Sequence, residues 1–196
     1  MLKRFFDIIC SLIGIIILLP FFVIISALII VNSGFPVFYF QTRVGKNSKN
    51  FNLIKFRTMH THADKKGLLT VGGRDVRVTA IGYFLRKYKI DELPQLINVL
   101  VGSMSLVGPR PEVSKYVDLY NVQQLQVLNV RPGITDLASL EFINENELLA
   151  QSSNPEETYI QSIMPQKLAL NLKYIAQQSF GTDVKIIYKT ILKIVK

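Results

Sequence analysis

The sequence predicts a mainly α-helical protein with one small β-hairpin, preceded by an apolar N-terminal helix. Three observations support this fold class. Residues 8–31 carry no charge, aromatic and β-branched segments flank a turn between residues 35 and 56, and apolar residues recur at helical spacing in several later segments. Because the strand pattern occurs once and the helical pattern repeatedly, we expect helices to dominate.

Length and composition suit one domain with an attached anchor. We place the anchor at residues 1–32 and the domain at residues 33–196. Hydrophobic residues make up 49% of the 196 residues, and the mean hydropathy of +0.28 is high for a soluble domain. The formal net charge of +9 favours an anionic partner, such as nucleic acid, anionic lipid or a phosphorylated substrate. The single cysteine, Cys10, excludes an intrachain disulfide.

The uncharged N-terminal run is long enough to cross a membrane. As a helix it would measure about 36 Å, against about 30 Å for a bilayer core. No small-residue cleavage site follows it, which disfavours a signal peptide. Pro20 interrupts it near the middle, and basic residues flank both ends, among them Lys3, Arg4, Arg43 and Lys46. A re-entrant helix that breaks at Pro20 explains both observations, and a kinked single span is the open alternative.

The first part of the remaining chain has the pattern of a hairpin. Residues 35–40 and 51–56 have strand composition, and residues 45–50 between them are typical of a turn. Residues 67–79, with Gly72 and Gly73, indicate a loop.

Several later segments have helical patterns. Asp91 is a candidate N-cap, Pro94 suits the first turn that follows, and Gly102 is expected to end this helix. Residues 112–128 and 166–178 are also predicted to be helical. In the last helix, from residue 183, one face is basic and the other apolar, which favours contact with a membrane surface over simple packing on the core. The basic face has Lys185, Lys189, Lys193 and Lys196, and the apolar face has Val184, Ile187, Ile191, Ile194 and Val195.

The adjacent carboxylates Asp91 and Glu92 are the first candidates for catalysis. At a helix start, such a pair more often serves only for capping. Here cations accompany it, because Arg86 precedes it and Arg110 follows between Pro109 and Pro111. Arg131, before Pro132 and Gly133, repeats the pattern of a cation held by a rigid turn.

This combination points to chemistry on a phosphorylated substrate. Arginine binds phosphate in a planar, bidentate manner, and a helix N-terminus adds amide donors. Carboxylates beside phosphate call for a divalent cation, usually Mg²⁺. An aspartate in this setting can also act as a nucleophile and form an aspartyl-phosphate.

Two other patterns carry less weight. His60 and His62 have a spacing that can bind metal, but no third ligand lies near and a polar loop is favoured. The positive charge alone does not predict nucleic-acid binding, because no nucleic-acid-binding motif is present.

Ordered sequence blocks along nearly the whole chain resemble the small monotopic phosphoglycosyl transferases, the bacterial sugar transferases that begin glycan assembly. The blocks are Lys3-Arg4 with Asp7, Gln41 to Gly45, Lys55 to Met59, Leu85 to Lys87, Asp91 to Leu96, Asn98 to Leu100, Met104 to Pro111 and Arg131 to Thr135.

The resemblance implies a membrane-bound enzyme on the cytoplasmic face of the bacterial inner membrane. A re-entrant helix would enter one leaflet, and a compact, mostly helical domain would rest on the surface. The reaction would transfer a sugar-phosphate from a UDP-sugar to polyprenyl phosphate and release UMP. An N-acetylated hexosamine is the expected sugar, and a homodimer is an open alternative to a monomer.

The resemblance also implies roles for individual residues. Asp91 would form the covalent phospho-sugar and contact Mg²⁺, and Glu92 would assist as metal ligand or base. Substrate or phosphate binding is expected of Arg86 and Arg110, and also of Lys55, Arg57, Pro109, Pro111 and Arg131 within the matching blocks.

A few positions depart from the family pattern. Leu19 stands where serine commonly precedes the anchor proline, Ser103 replaces a usually charged residue, and Asp136 stands where glycine is usual. The segment 137–147 also differs, so a pocket that it lined would favour a different sugar. The main rival to an enzyme is a non-catalytic membrane-surface protein, which would tolerate Asp91→Asn.

Overall fold

The computed structural model describes residues 2–61, 63, 69 and 75–195. Within these ranges the chain is mainly helical, with two two-stranded sheets, so the predicted fold class is confirmed in outline. Much of the predicted 67–79 loop, with Gly72 and Gly73, lies outside the described residues, as do His62 and Lys196.

The chain begins with a 32-residue helix, α1 (Leu2–Ser33), that is long and apolar enough to cross a membrane. Pro20 lies inside α1 and does not end the helix, and the break of the membrane helix at Pro20 stays a prediction. A proline removes one backbone hydrogen bond, and the bonds on either side keep an apolar helix continuous. The re-entrant path through a membrane stays a prediction.

One face of α1 packs on the rest of the protein along most of its length. Asp7, Ser11, Phe22, Ile25 and Ile29, at intervals of three, four and eleven, are buried. The remaining surface exposes large apolar side chains, including those of Phe5, Ile13, Ile16, Ile17, Leu19, Val23, Ile24, Leu28 and Val31. So large an exposed apolar surface indicates membrane association.

Polar contacts hold the beginning of α1. The Asp7 carboxylate accepts hydrogen bonds from Ser105 Oγ at 2.8 Å and from the Leu106 amide at 3.2 Å. Lys3 Nζ lies 2.5 Å from Asp183 Oδ2. The charged residues before the apolar run therefore join the anchor to the domain.

The predicted hairpin is confirmed as strands β1 (Phe38–Val44) and β2 (Asn50–Phe56), which pair antiparallel around a 3₁₀ turn at Lys46–Ser48. β1 begins at Phe38 and not at Phe35, because Gly34 has a positive φ and turns the chain after α1. In β2, Lys55 pairs with Tyr39.

Helix α2 (Ala80–Lys87), a 3₁₀ turn (Ile90–Glu92) and helix α3 (Gln95–Val101) follow. Asp91 lies inside the 3₁₀ turn and Pro94 precedes α3, so the prediction of Asp91 as the N-cap is wrong. A proline has no amide hydrogen to donate, and its fixed φ suits a helix start, so α3 begins after Pro94. Gly102, with a φ of 95°, ends α3 as predicted.

A second sheet was not predicted. Strands β3 (Ser105–Val107) and β4 (Gly133–Thr135) pair parallel. Three residues are too few for a periodic pattern, and the pairing depends on a close approach of two backbones at Gly108 and Gly133. A Cβ atom on Gly133 would lie 2.1 Å from the Gly108 amide nitrogen.

Gly133→Ala is therefore expected to lower the free energy of unfolding by about 1–3 kcal/mol, because backbone atoms must move to accept the methyl group. Gly181→Ala is the matched control, since no atom lies within 4 Å of its added Cβ. Chemical unfolding in detergent measures both changes. Equal stability of the two variants would contradict the close approach.

The second half of the chain consists of helices α4 (Ser114–Val117), α5 (Leu137–Glu141), α6 (Glu145–Ala150), α7 (Pro155–Thr158), α8 (Met164–Ala176) and α9 (Phe180–Val195). The predicted 112–128 helix is wrong in extent: α4 ends at Val117, and a 3₁₀ helix spans Gln124–Asn129. Asn121 and Gln124 exchange side-chain to backbone hydrogen bonds of 2.9 Å, which begin a new turn. Helix α8 confirms the predicted 166–178 helix, with small shifts at both ends.

Helix α9 forms as predicted, and Ile186, which lies outside the predicted apolar face, packs on the core. Ile186 is buried, whereas Val184 and Ile191 from the predicted apolar face are 43% and 56% exposed. The tertiary reason is that Asp183 binds Lys3 and Tyr174, which rotates Ile186 towards the core. Apolar side chains and lysines are exposed side by side on α9. Contact of α9 with a membrane surface therefore stays a prediction.

Candidate active site

A cleft of about 680 Å³ is bordered by α1, the 3₁₀ turn at Ile90–Glu92, α5 and α9. Its lining includes the cationic side chains of Arg43, Lys55, Arg86, Lys89, Arg110, Lys167 and Lys193. The carboxylates of Asp91, Glu92, Glu112 and Glu145 accompany them. Cations thus outnumber anions, which suits a phosphorylated ligand.

Asp91 occupies this cleft as a buried carboxylate that is 6% exposed. Its position follows from Lys89, whose left-handed φ of 55° turns the chain from α2 into the 3₁₀ turn. Asp91 Oδ1 is buried without a hydrogen-bond partner among the described residues. Burial raises the pKa of Asp91, and the positive charges of Lys55, Arg86 and Lys89 partly oppose that rise.

The neighbouring Glu92 has the opposite environment. Arg110 donates to both of its oxygens, with Nη1 at 3.0 Å from Oε2, and Lys55 Nζ lies 2.9 Å from Oε1. Burial acts to raise the pKa of Glu92, but the charges and hydrogen bonds of these cations hold it well below its usual value. Two adjacent carboxylates with opposite pKa shifts indicate different roles.

Arg86 lies in the same cleft and donates from Nε to Thr58 Oγ1 at 2.8 Å. Its charge acts on Asp91. The structure therefore brings together five residues that the sequence analysis singled out from different segments: Lys55, Arg86, Asp91, Glu92 and Arg110.

The loop that carries Arg110 is held by Asp136. Asp136 is buried, accepts a hydrogen bond from the Arg110 amide at 3.0 Å, and caps α5 by accepting from Ser139 at 2.5 Å. Asp136, which stands where the family usually has glycine, thus supports the Arg110 loop through a hydrogen bond from the loop backbone. Pro109 and Pro111 border a separate small cavity and not the cleft, so they shape the loop without lining the site.

Two of the predicted phosphate-binding arginines lie elsewhere. Arg57 is buried and donates to the carbonyls of Ser33 and Gly34 at 2.9 and 2.5 Å, so it caps the end of α1. Arg131 donates to the Gly102 carbonyl at 2.8 Å, beside the end of α3. Neither lines the cleft, because each side chain is held by backbone carbonyls at the end of a helix that is distant in sequence.

The structure also reveals cleft residues that the sequence analysis missed. Tyr159 donates to Glu112 Oε1 at 2.5 Å, and Glu112 pairs with Arg43 at 3.2 Å. Lys167 Nζ lies 2.8 Å from Glu145 Oε2. Arg43 lies in the Gln41 to Gly45 block, but the other residues are far apart in sequence and belong to no contiguous motif. The unusual 137–147 segment signalled the part of the chain that contains Glu145.

Another part of the cleft is apolar. Phe6, Leu93 and Leu96 line it from α1 and the start of α3, and Ile187 and Ile191 line it from α9. A single ligand pocket with both a charged and an apolar part suits two substrates, or one amphipathic substrate.

The donor set fits a magnesium ion only in part. Asp91 Oδ1 is free to bind a cation, whereas both Glu92 oxygens already accept from Arg110 or Lys55. No group of three metal-binding side chains occurs among the described residues, and His62 lies outside them. Mg²⁺ commonly binds through one carboxylate together with substrate phosphates, and Asp91 can supply that carboxylate. Glu92 as a metal ligand is not supported.

Comparisons with known proteins identify the family of this chain. The family model described as bacterial sugar transferase matches residues 1–196. The chain is 35% identical over 97% of its length to the UDP-N-acetylgalactosamine-undecaprenyl-phosphate N-acetylgalactosaminephosphotransferase of Aeromonas hydrophila, but spans only 43% of that relative. It is 32% identical to the exopolysaccharide production protein ExoY of Rhizobium meliloti, over 97% of this chain and 84% of the relative.

A third relative is the UDP-glucose:undecaprenyl-phosphate glucose-1-phosphate transferase of Caulobacter vibrioides. The identity is 33%, over 96% of this chain and 68% of the relative. The relatives' names cover more than one sugar, so they do not select a donor. The match along the whole chain, with the charged cleft around Asp91, confirms the resemblance found in the sequence: the protein belongs to the bacterial sugar transferase family, as a phosphoglycosyl transferase.

Proposed function

We propose that this protein transfers a sugar-1-phosphate from a UDP-sugar to undecaprenyl phosphate, giving undecaprenyl-diphosphate-sugar and UMP. The observation that carries the proposal is the buried Asp91 carboxylate in a cleft rich in cations, with its Oδ1 accepting no hydrogen bond from the described residues. Names of relatives that act on UDP-glucose or UDP-N-acetylgalactosamine support the same reaction class. An N-acetylated hexosamine remains our expected sugar.

The reaction proceeds in two displacements at the β-phosphorus. An Asp91 carboxylate oxygen attacks this phosphorus, the bond to the bridging oxygen breaks, and UMP leaves with that oxygen. A phosphate oxygen of undecaprenyl phosphate then attacks the same phosphorus and releases the Asp91 carboxylate. Dividing the transfer in this way lets one cleft bind the two large substrates in turn.

The surrounding residues stabilise charge and hold position. Arg86 and Lys89 lie beside Asp91 and can bind phosphate oxygens. Arg110 and Lys55 both bind Glu92, and this shared contact fixes the two cationic side chains at the cleft. Because Glu92 stays ionised and already paired, we assign it to positioning these cations and not to proton transfer.

A magnesium ion bound to Asp91 and the diphosphate would offset the negative charge of the donor. The apolar part of the cleft, at Phe6, Leu96 and Ile191, is the expected site of the first isoprene units of the acceptor. We place the protein at the cytoplasmic face of the inner membrane, with α1 as a monotopic anchor, since UDP-sugars are cytoplasmic and α1 exposes an apolar face.

The test is UMP release by the full chain in nanodiscs, with undecaprenyl phosphate, Mg²⁺ and a panel of UDP-sugars. We expect release with one or a few donors, and loss of it when the lipid phosphate is omitted under multiple-turnover conditions. Chelation by EDTA should stop turnover, and added Mg²⁺ should restore it. Absence of UMP with every donor would favour the non-catalytic alternative.

A further inference from the structure

We propose that Lys167 and Glu145 form the subsite that binds hydroxyl groups of the donor sugar, and that this pair helps to select the donor. The inference rests on the proposed function and goes beyond it by assigning specificity to particular residues. Lys167 lies on α8 and Glu145 begins α6, and both side chains line the cleft that contains Asp91.

The pair is an unusual feature of the protein interior. Lys167 is only 9% exposed, and its Nζ lies 2.8 Å from Glu145 Oε2 and 5.4 Å from the centre of the Tyr159 ring. Lysine is rarely buried, and removing an ion pair from water generally costs as much stability as the pair returns. Stability alone therefore does not account for this pair in a cleft wall.

Its hydrogen-bonding capacity is incomplete. Glu145 Oε1 accepts no hydrogen bond from the described residues, and Lys167 Nζ has three donors of which Glu145 uses one. The Glu145 side chain is 24% exposed, so it remains accessible from the cleft. A free acceptor and free donors side by side match a sugar hydroxyl, which donates and accepts at once.

Charge separates this subsite from the phosphate site. The Lys167–Glu145 pair is neutral as a unit and does not compete for the diphosphate, whereas Arg86 and Lys89 lie beside Asp91. Glu145 lines the same cleft as Asp91 and acts electrostatically on Arg110: Glu92 chiefly raises the pKa of Arg110, and the charge of Glu145 adds to that effect.

Neighbouring groups complete a polar surface. Ser139 and Asn146 also line the cleft, from α5 and α6. Both belong to the segment 137–147, which differs from the common family form. The apolar part of the cleft, by contrast, offers a sugar no hydrogen bonds.

The experiment compares Lys167→Met and Glu145→Gln with the natural protein. The donors are UDP-glucose, UDP-galactose, UDP-N-acetylglucosamine, UDP-N-acetylgalactosamine and deoxy analogues of the preferred donor. Each substitution should lower kcat/KM for the preferred donor by about 10- to 100-fold, since a hydrogen bond to a charged group is lost. The variants should also discriminate less between the preferred donor and the deoxy analogue that lacks the bound hydroxyl. Inhibition by UMP should stay within about twofold of the natural protein, because UMP carries no sugar at the β-position.

The chain offers a matched control. Lys115 and Glu156 also form an ion pair, with Lys115 Nζ 5.8 Å from the Tyr116 ring, but their side chains are 54% and 47% exposed and do not line the cleft. Lys115→Met and Glu156→Gln should leave the donor ranking unchanged. If Lys167→Met proves poorly folded by thermal unfolding, Glu145→Gln, which keeps the side-chain shape, decides the question.

The outcomes separate the inference from the proposed function. No UMP from the natural protein with any donor would overturn the proposed function itself. Turnover with an unchanged donor ranking and unchanged deoxy discrimination in well-folded variants would overturn the inference alone. Equal weakening of all donors and of UMP inhibition would assign the pair to the uridine moiety and would also overturn it.

Discussion

Asp91→Asn is expected to abolish turnover while making the protein more stable. Loss of the nucleophile should lower kcat by on the order of 10³-fold or more, because an amide cannot form the acyl-phosphate bond to the phospho-sugar. Stability should rise because Asp91 is a buried carboxylate with an unpartnered oxygen, and a neutral amide is less costly to bury.

The pH dependence follows from the direction of the pKa shift. Burial raises the pKa of Asp91 in the folded state, so the ionised side chain destabilises the fold at neutral pH. This cost disappears as the pH falls through the raised pKa towards the ordinary value. The stability advantage of Asp91→Asn should therefore be largest near pH 7 and shrink in acid, and wild-type activity should fall on the acid side as Asp91 becomes protonated.

Two measurements check this expectation. Unfolding in detergent at several pH values compares the stabilities of the two proteins. UMP release without undecaprenyl phosphate should give at most one UMP per protein molecule in the natural protein and none in the variant. An Asp91→Asn protein that retained substantial turnover would exclude Asp91 as the nucleophile.

Glu92→Gln should have the opposite effect on stability, together with a large loss of activity. Removing the carboxylate leaves Lys55 and Arg110 without their common anion, with side chains only 18% and 31% exposed. Breaking one partner of such a buried cluster costs about 3–5 kcal/mol. Turnover should fall about 100-fold, because the cations lose their fixed positions at the cleft.

The stability loss in Glu92→Gln should also depend on pH. The folded-state pKa of Glu92 is lowered, so its contribution to stability is present above the ordinary pKa of glutamate and is lost as the pH falls through the lowered value. The stability difference between Glu92→Gln and the natural protein should thus be large at neutral pH and diminish only in strong acid.

A double variant and an exposed pair serve as controls. Glu92→Gln combined with Arg110→Met should recover part of the lost stability but none of the activity, since one unpaired cation is removed. Glu156→Gln breaks an exposed ion pair and should change stability by less than about 1 kcal/mol. Additive destabilisation in the double variant would contradict a direct Glu92–Arg110 interaction.

The sequence by itself determined the apolar anchor, the hairpin and helices α3, α8 and α9, and it identified the charged residues Lys55, Arg86, Asp91, Glu92 and Arg110. These features are local: composition fixes the anchor, spacing fixes the long helices, and ordered motifs identify the charged residues. The family followed from the same motifs.

Only the tertiary structure decided the remaining features. The parallel β3–β4 pair depends on contact between two glycine backbones, and the buried face of α9 depends on the Asp183 contacts with Lys3 and Tyr174. Packing also separated Arg57 and Arg131 from the cleft and brought Lys167 to Glu145. The two adjacent carboxylates acquired opposite environments for the same reason, because side chains distant in sequence determine which buried charge has partners.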